Sequence, residues 1–452
     1  MITKRAFLYP RNLKNECSIA SALSLQRAPS SMCLAYGLLR RCWLGIVIFL
    51  FVCTSDSLFS DILKREGGGY LEQVDGLLIL HVQGTPYQRG FQHGKLLKNA
   101  IQRNIATYID VARPEQSERI SEFQSKSAQL ISYVPQDCLE ELKGIAEGAS
   151  VPFKKILSLN LFPEMFHCSG ITVSRDATQD GKLYHVRVLD YSIGKNLEET
   201  AVVIVEQPED GHLFLNVSYA GFIGSVTGMN EQKIAVGEIG GKGYGNWDGV
   251  PMAFLIREIL QKASTLEEAK AILSQSPRTC EYFYILSDGK TGESVAVYAT
   301  ESQIHFIKPG ENYALLAPKN LPLHYGQDGE NDKFFLSNYQ MAISAFQVAV
   351  GDDSRSIALF FSSLPHCLVL TGFANPERYP FLMERLIAHY GRIGVKELKE
   401  AIKPPVTAAS NLHNAIFNPS ELEVWISHPG PNGEPASLQP YYFLSARDWI
   451  KK

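Results

Sequence analysis

Three residues in the middle of the chain have the types and spacing that amide chemistry requires. Cys168 heads the run Ser169-Gly170-Ile171-Thr172-Val173, which reads as a strand, and Arg187-Val188-Leu189-Asp190 falls on what reads as the next one. A thiol with a reference pKa of about 8.5 is mostly protonated at neutral pH, so it needs a base or a nearby positive charge. A cut between His167 and Cys168 would create an α-amine with a pKa of about 7.7–8.0, placing base and nucleophile on one residue. Arg187 would then stabilise the thiolate, and Asp190 would orient the amine. Side chains three apart on a strand point to opposite faces, so the pair needs a bend or strand end near Asp190-Tyr191-Ser192. Blander readings also fit: a cysteine before a strand is usually a small buried hydrophobe, and Arg187 and Asp190 could form an ordinary ion pair.

The elements that must position these residues alternate from residue 77 onward. Leu77-Leu78-Ile79-Leu80-His81-Val82 reads as a strand, 85–112 as one long helix opening near Pro86, 139–149 as a second helix and 153–161 as a third. Past Cys168, apolar segments near Ile171, Leu183, Ala201, Leu213, Phe222 and Ile234 are separated by Gly, Asp and Asn turns, the rhythm of antiparallel hairpins. Helices are expected over 250–263 and 265–274, the latter capped by Ser264 with Glu267 three residues on. Strands are expected over 282–286 and 294–298, a polar loop over 318–333, helices over 379–390 and 395–401, and strands over 412–417 and 422–426. No repeat or low-complexity linker interrupts 60–452, so one large domain is expected there.

The chain has 452 residues and a net charge of −4, which gives no electrostatic case for nucleic acid. Only the start is basic, with Lys4, Arg5, Arg11, Lys14, Arg27, Arg40 and Arg41 against Glu16. The apolar run 43–53 follows; it is too short for the roughly twenty residues of a membrane span and fits the core of an export signal. Residues 1–57 are therefore expected to be a targeting leader, with a lipid anchor at Cys53 or a retained membrane anchor as alternatives and Met32 as a second candidate start. Beyond the leader lie Cys138, Cys168, Cys280 and Cys367, with no CxxC, so a zinc ribbon or thioredoxin motif is not supported. A free Cys168 would leave at most one disulfide among them. Asn216-Val217-Ser218 is the one plausible glycosylation sequon.

These residues resemble a known family. Gly84-Thr85-Pro86-Tyr87-Gln88-Arg89-Gly90-Phe91-Gln92-His93-Gly94, Glu141-Leu142-Lys143-Gly144-Ile145-Ala146-Glu147-Gly148, Tyr219-Ala220-Gly221-Phe222-Ile223-Gly224, Thr227-Gly228-Met229-Asn230-Glu231 and Asn411-Leu412-His413-Asn414-Ala415-Ile416-Phe417 stand in order around Cys168. Together they are similar to the cysteine N-terminal-nucleophile (Ntn) hydrolases, and most of all to the isopenicillin N acyltransferase-like group. Bile salt hydrolases, penicillin V acylases and acid ceramidases are more distant members. The resemblance implies an α+β fold, a four-layer αββα sandwich with two antiparallel sheets between helical layers. It implies catalytic roles for Cys168, Arg187 and Asp190, an oxyanion asparagine at Asn320, and a second oxyanion donor on the backbone near Ile239-Gly240. Arg378 would bind charge or hold the site together. His167, where the family often has a small residue, would be left behind by the cut.

The reading is a self-processing amidohydrolase or acyltransferase, with a pro-segment at 58–167 and a catalytic chain at 168–452 that stay associated after cleavage. Its substrate would be an N-acyl amide or acyl thioester, and membrane association through the leader stays open. No metal or organic cofactor is implied. The rival reading is an uncleaved binding protein on the same fold; a papain-type protease is weaker for want of its signatures. Asn230 is expected to be a turn residue, and His93 and His413 to be structural.

Overall fold

The computed structural model describes residues 60–110, 129–161, 167–191, 193, 197–240, 245–310, 343–348, 357–362, 364–371 and 378–450. The chain divides into units 1–58 and 59–452, and the first, with its apolar run, lies outside the described residues. No described helix is long and apolar enough to cross a membrane.

The second unit opens with a three-stranded meander, β1 (Ser60–Glu66), β2 (Gly69–Val74) and β3 (Leu77–Gly84). Asp75 and Gly76, both at positive φ, close the two-residue turn between β2 and β3. Helix α1 (Pro86–Leu96) follows, capped by Thr85, whose hydroxyl accepts from Gln88 N while the Gln88 side chain returns to the Thr85 backbone. The single helix expected over 85–112 is two. Leu97 leaves helical geometry at φ −113° and ψ 20°, α2 (Lys98–Tyr108) restarts after it, and adjacent Leu96 and Leu97 both reach the core. Helix α3 (Gln136–Ala149) lies against α1 with backbones touching. A Cβ on Gly90 would sit 1.9 Å from Glu141 O, and one on Gly144 would sit 2.2 Å from Tyr87 O. Gly90, Gly94, Gly144 and Gly148 recur every fourth residue for this reason. Helix α4 (Phe153–Leu161) ends the segment before Cys168.

Strands β4 (His167–Arg175), β5 (Gly181–Asp190), β6 (Ala201–Pro208), β7 (Phe214–Tyr219), β8 (Thr227–Asn230) and β9 (Ile234–Gly240) come next. Phe222 is not in a strand; it sits in the turn after β7, where Gly221 takes φ +91°. Helices α5 (Met252–Lys262) and α6 (Leu266–Gln275) follow. The cap of α6 is Thr265, one residue later than the sequence suggests; Thr265 Oγ1 accepts from Glu268 N and Glu268 accepts from Ser264 N. Then come β10 (Tyr282–Asp288), β11 (Glu293–Ala299), β12 (Ile304–Ile307), the separate hairpin β13 (Ile343–Val348) with β14 (Ile357–Ser362), and β15 (Cys367–Thr371). Helices α7 (Arg378–Ala388) and α8 (Val395–Ala401), strands β16 (Asn411–Asn418), β17 (Glu423–Ser427) and β18 (Tyr442–Ser445), and helix α9 (Arg447–Ile450) complete the unit.

The strands form a ten-stranded sheet, β1-β2-β3-β6-β7-β8-β9-β10-β11-β12, and a six-stranded sheet, β15-β4-β5-β16-β17-β18. Alternation along each strand builds the layers. Leu77, Ile79, Val203, Val205, Leu215 and Val217 meet Ala415, Phe417, Val424 and Ile426 between the sheets. Leu80, Val82, Val202 and Ile204 face the other way, into the cluster shared with α1, α3 and α5. Val186, Val188 and Ile416 turn outward onto Leu382, Leu386 and Leu398 of α7 and α8. The result is the αββα sandwich. Its neighbouring strands run antiparallel, except that β3 and β6 pair in parallel. Asn216, the sequon asparagine, is fully buried in β7 and donates to Gly224 O, so the folded chain does not offer it for glycosylation. All four described cysteines are free.

Candidate active site

Cys168 is the second residue of β4 and pairs with Leu189 of β5, while Gly170 pairs with Arg187. Even-numbered β4 residues and odd-numbered β5 residues face the ten-stranded sheet, so Cys168 and Arg187 share the inner face. Glycines let the sheets approach there. A Cβ on Gly170 would lie 2.5 Å from Ile239 Cδ1, and one on Gly237 would lie 3.3 Å from the Arg187 side chain. In that space Cys168 Sγ lies 3.9 Å from Glu238 Oε2 on β9. Arg187 Nη2 donates to the same oxygen at 3.1 Å, and its Nη1 donates to Val188 O. All three side chains are fully buried. Burial pushes the thiol well above its ordinary range; Arg187 pulls it back, while Glu238 and Asp190 push it further up. In the continuous chain burial therefore favours the protonated thiol and shields it from solvent.

Asp190 is the last residue of β5, and the alternation noted above sends it outward. Its Oδ2 lies 2.8 Å from Arg378 Nη1 at the start of α7, and its Oδ1 accepts from Ala408 N at 3.1 Å. Burial raises its carboxyl, with Arg378 as the chief opposing charge. Arg187 and Asp190 thus serve different neighbours on opposite faces. Asp190 bonds Arg378 and Ala408 rather than the thiol, and it pairs with His167 in the β4–β5 register, beside the His167–Cys168 peptide bond. Arg378 is 1% exposed and faces Asp190, a partner the sequence did not suggest. Gly240 ends β9 at φ +84°, two residues beyond Glu238. Asn320 lies outside the described residues.

Leu189 also pairs with His413 of β16, on the side opposite Cys168. His413 bridges Tyr219 Oη at 2.9 Å and Thr227 Oγ1 at 3.0 Å, and burial, aided by Arg187, lowers its pKa well below normal. His93 accepts from Gly221 N, and Asn230 ties the end of α5 to β9, donating to Leu260 O and Ala263 O and accepting from Ile234 N. These three are structural. Among the described residues no group of His, Cys, Asp or Glu could hold a metal ion. Sequence reasoning missed Glu238, although an acid inside the apolar run Ala235-Val236-Gly237-Glu238-Ile239 was a signal.

Residues 177–315 match the model of the acyl-coenzyme A:6-aminopenicillanic acid acyl-transferase family. That span holds Arg187, Asp190, Glu238 and Gly240. Protein dcd1A of Dictyostelium discoideum is 30% identical over 310 residues, covering 60% of this chain and 70% of the relative. The chain belongs to this family of cysteine Ntn hydrolases. It is an amidohydrolase or acyltransferase. Acid ceramidase of Rattus norvegicus is 30% identical over 200 residues, 37% of this chain and 48% of the relative, so the chain spans about half the length of that enzyme. The Caenorhabditis elegans N-acylethanolamine-hydrolyzing acid amidase ortholog superposes with a TM-score of 0.38 and 15% identity, over 61% of this chain and 100% of the other. The layer order given above rests on this chain's own sheets and helices.

Proposed function

We propose that the chain is a dormant precursor that cuts itself before Cys168 and then hydrolyses or transfers the acyl group of an N-acyl amide. The observation that carries this reading is the convergence of a sealed, protonated Cys168 thiol with Arg187 and Glu238, next to a peptide bond flanked by Asp190. Cys168 Sγ attacks the His167 carbonyl carbon; the C–N bond breaks, a thioester forms, and the nitrogen takes up the thiol proton. Water then hydrolyses the thioester, leaving a His167 carboxylate and a free Cys168 amine and thiol. In turnover the amine takes the thiol proton and Arg187 stabilises the thiolate. The sulfur attacks the substrate carbonyl, and the departing amine carries the proton away. Water or an acceptor amine resolves the acyl-enzyme. Asn320 and the backbone at Gly240 are the proposed oxyanion donors. Residues 58–167 and 168–452 are the proposed fragments, and the basic leader with its apolar run supports export.

Relatives named acid ceramidase make ceramide, a long-chain N-acyl amide, the first substrate to try. The test is the intact mass of wild type beside Cys168→Ala. The reading expects two fragments from wild type, the larger beginning at Cys168, a single chain from the variant, and acyl release only by the cut protein. A single chain in both would overturn self-cleavage and return the weight to a silent binding protein.

A further inference from the structure

The segment before Cys168 is built into the body of the molecule. Its last strand, β3, is hydrogen-bonded to β6 of the later segment from Ile79↔Val203 to Gly84↔Pro208. Three of its side chains hold one turn of the later segment. Asn104 donates to Ala220 O at 2.8 Å, and His93 accepts from Gly221 N at 2.9 Å. Asn160 donates to Gly221 O at 2.8 Å and accepts from Ile223 N at 2.8 Å. Tyr219, at the head of that turn, hydrogen-bonds His413, which lies beside Leu189 opposite Cys168.

Between helices α1, α3 and α5 and strand β6 lie four buried charges. Arg89 Nη2 is 2.8 Å from Glu141 Oε2, and Arg89 Nε is 3.4 Å from Glu206 Oε2. Arg257 Nη2 is 2.7 Å from Glu141 Oε2, and Arg257 binds both oxygens of Glu206. Arg257 also donates to Ile223 O, and Arg89 to Gly84 O. Each of the four side chains is at most 2% exposed. Arg89 and Glu141 precede Cys168; Glu206 and Arg257 follow it. Each side of the cut therefore brings one cation and one anion. Each half is neutral alone, so joining them buries no net charge, yet Arg257–Glu141 and Arg89–Glu206 form only when both are present.

We propose that Arg89, Glu141, Glu206 and Arg257 form the lock that keeps the two products of cleavage together as a permanent non-covalent heterodimer, with the earlier segment acting as a subunit that shapes the Tyr219 turn. This rests on the self-cleavage reading. With all described cysteines free, no described disulfide spans the cut. Removing one charge leaves its partner buried and unbalanced, which is costlier than removing a whole neutral half.

The full chain, tagged after Lys452, is immobilised once cleaved, and release of the earlier fragment is timed. Wild type is expected to keep the fragment through about 1 M salt, because buried charges are little screened. In about 2 M urea, Glu206→Gln and Arg257→Met are each expected to release it about tenfold faster or more. The double variant Arg89→Met with Glu141→Leu, which leaves a neutral Glu206–Arg257 pair, is expected to release it more slowly than either single variant. Single variants within about twofold of wild type, or a double variant that keeps the fragment as long as wild type does although both ion pairs across the cut are gone, would overturn the lock. A single variant that does not fold is replaced by Glu141→Gln under the same two criteria. If wild type proves uncut, self-cleavage has failed. A protease site inserted between residues 161 and 167 then makes the cut, and the same release rates judge the lock separately.

Discussion

Two buried Arg–Glu clusters, built from the same side chains, have opposite characters. The quartet of Arg89, Glu141, Glu206 and Arg257 is balanced, and its carboxylates are shared between guanidinium groups. At Cys168 a single Arg187 faces a single Glu238, the thiol touches that carboxylate only at 3.9 Å, and Arg187 Nε has no hydrogen-bond partner. In the quartet each carboxylate answers two guanidinium groups, whereas at Cys168 one guanidinium and one carboxylate stand beside a thiol, an arrangement that can respond as charge moves there. The difference comes from stoichiometry and from glycine. Gly170 and Gly237 leave the narrow space in which the Cys168 thiol and the Arg187 guanidinium meet Glu238.

The comparison can be broken by substitution. Cys168→Ala is expected to abolish cleavage and lower kcat/KM by about 10³-fold or more, with the fold unchanged by circular dichroism. Arg187→Met is expected to cost about 10²–10³-fold in kcat/KM, read in the cleaved fraction, while the fragments stay bound. Glu141→Gln is expected to do the reverse. It would cost about 3–5 kcal/mol in denaturant unfolding while leaving the activity of each folded molecule within about threefold. Activity lost with Glu141→Gln at full stability would show that the two clusters are not separate in function.

A smaller effect comes from acid. Burial lowers His93 to about 4, His185 to about 3 and His428 to about 4. Unfolded histidine titrates near 6.5, so between that value and the native one the unfolded chain binds more protons. Each residue therefore removes about 1.4 kcal/mol per pH unit as pH falls through its window. Burial pushes the Glu141 carboxyl up while Arg257 and Arg89 hold it down, so on acidification it acts in the opposite sense. Burial lowers His413 as it lowers the other three, so with four histidines against Glu141 the melting temperature of Cys168→Ala is expected to fall from pH 6.5 to pH 4.5. His93→Asn, which keeps an acceptor for Gly221 N, is expected to flatten that fall by about a third. A melting temperature that rises on acidification would mean that the carboxyls dominate.

Much of this was legible in the sequence. Helix 153–161 and helix 395–401 match their observed bounds, because each is a short amphipathic run between clear turn signals. Strand period also placed Arg187 and Asp190 on opposite faces before any coordinates. What stayed hidden depended on partners far along the chain. The break at Leu97 follows from two adjacent core positions that local periodicity reads as one helix. The parallel β3–β6 pairing joins segments more than a hundred residues apart. Glu238 and Arg378 acquire meaning only when β9 and α7 arrive on either side of the strand pair carrying Cys168, His167 and Asp190. The fate of Asn216 was equally invisible, since a sequon says nothing about which way its strand faces.

The β3–β6 seam has a consequence for the life of the molecule. While the chain is continuous, Gly84 and Pro208 are tethered, and pairing the strands is a loop closure at an effective concentration of order mM. Once His167 and Cys168 are parted, that tether is gone and the strands must find each other by diffusion at whatever concentration the fragments share. Under the proposed self-cleavage the precursor would carry assembly information that its product lacks, and maturation would work as a ratchet. Uncut Cys168→Ala should refold from urea at any dilution, whereas the cut wild type should refold less well the more it is diluted. The active form would then be held by a barrier to separation, and each molecule would have one chance to be made correctly.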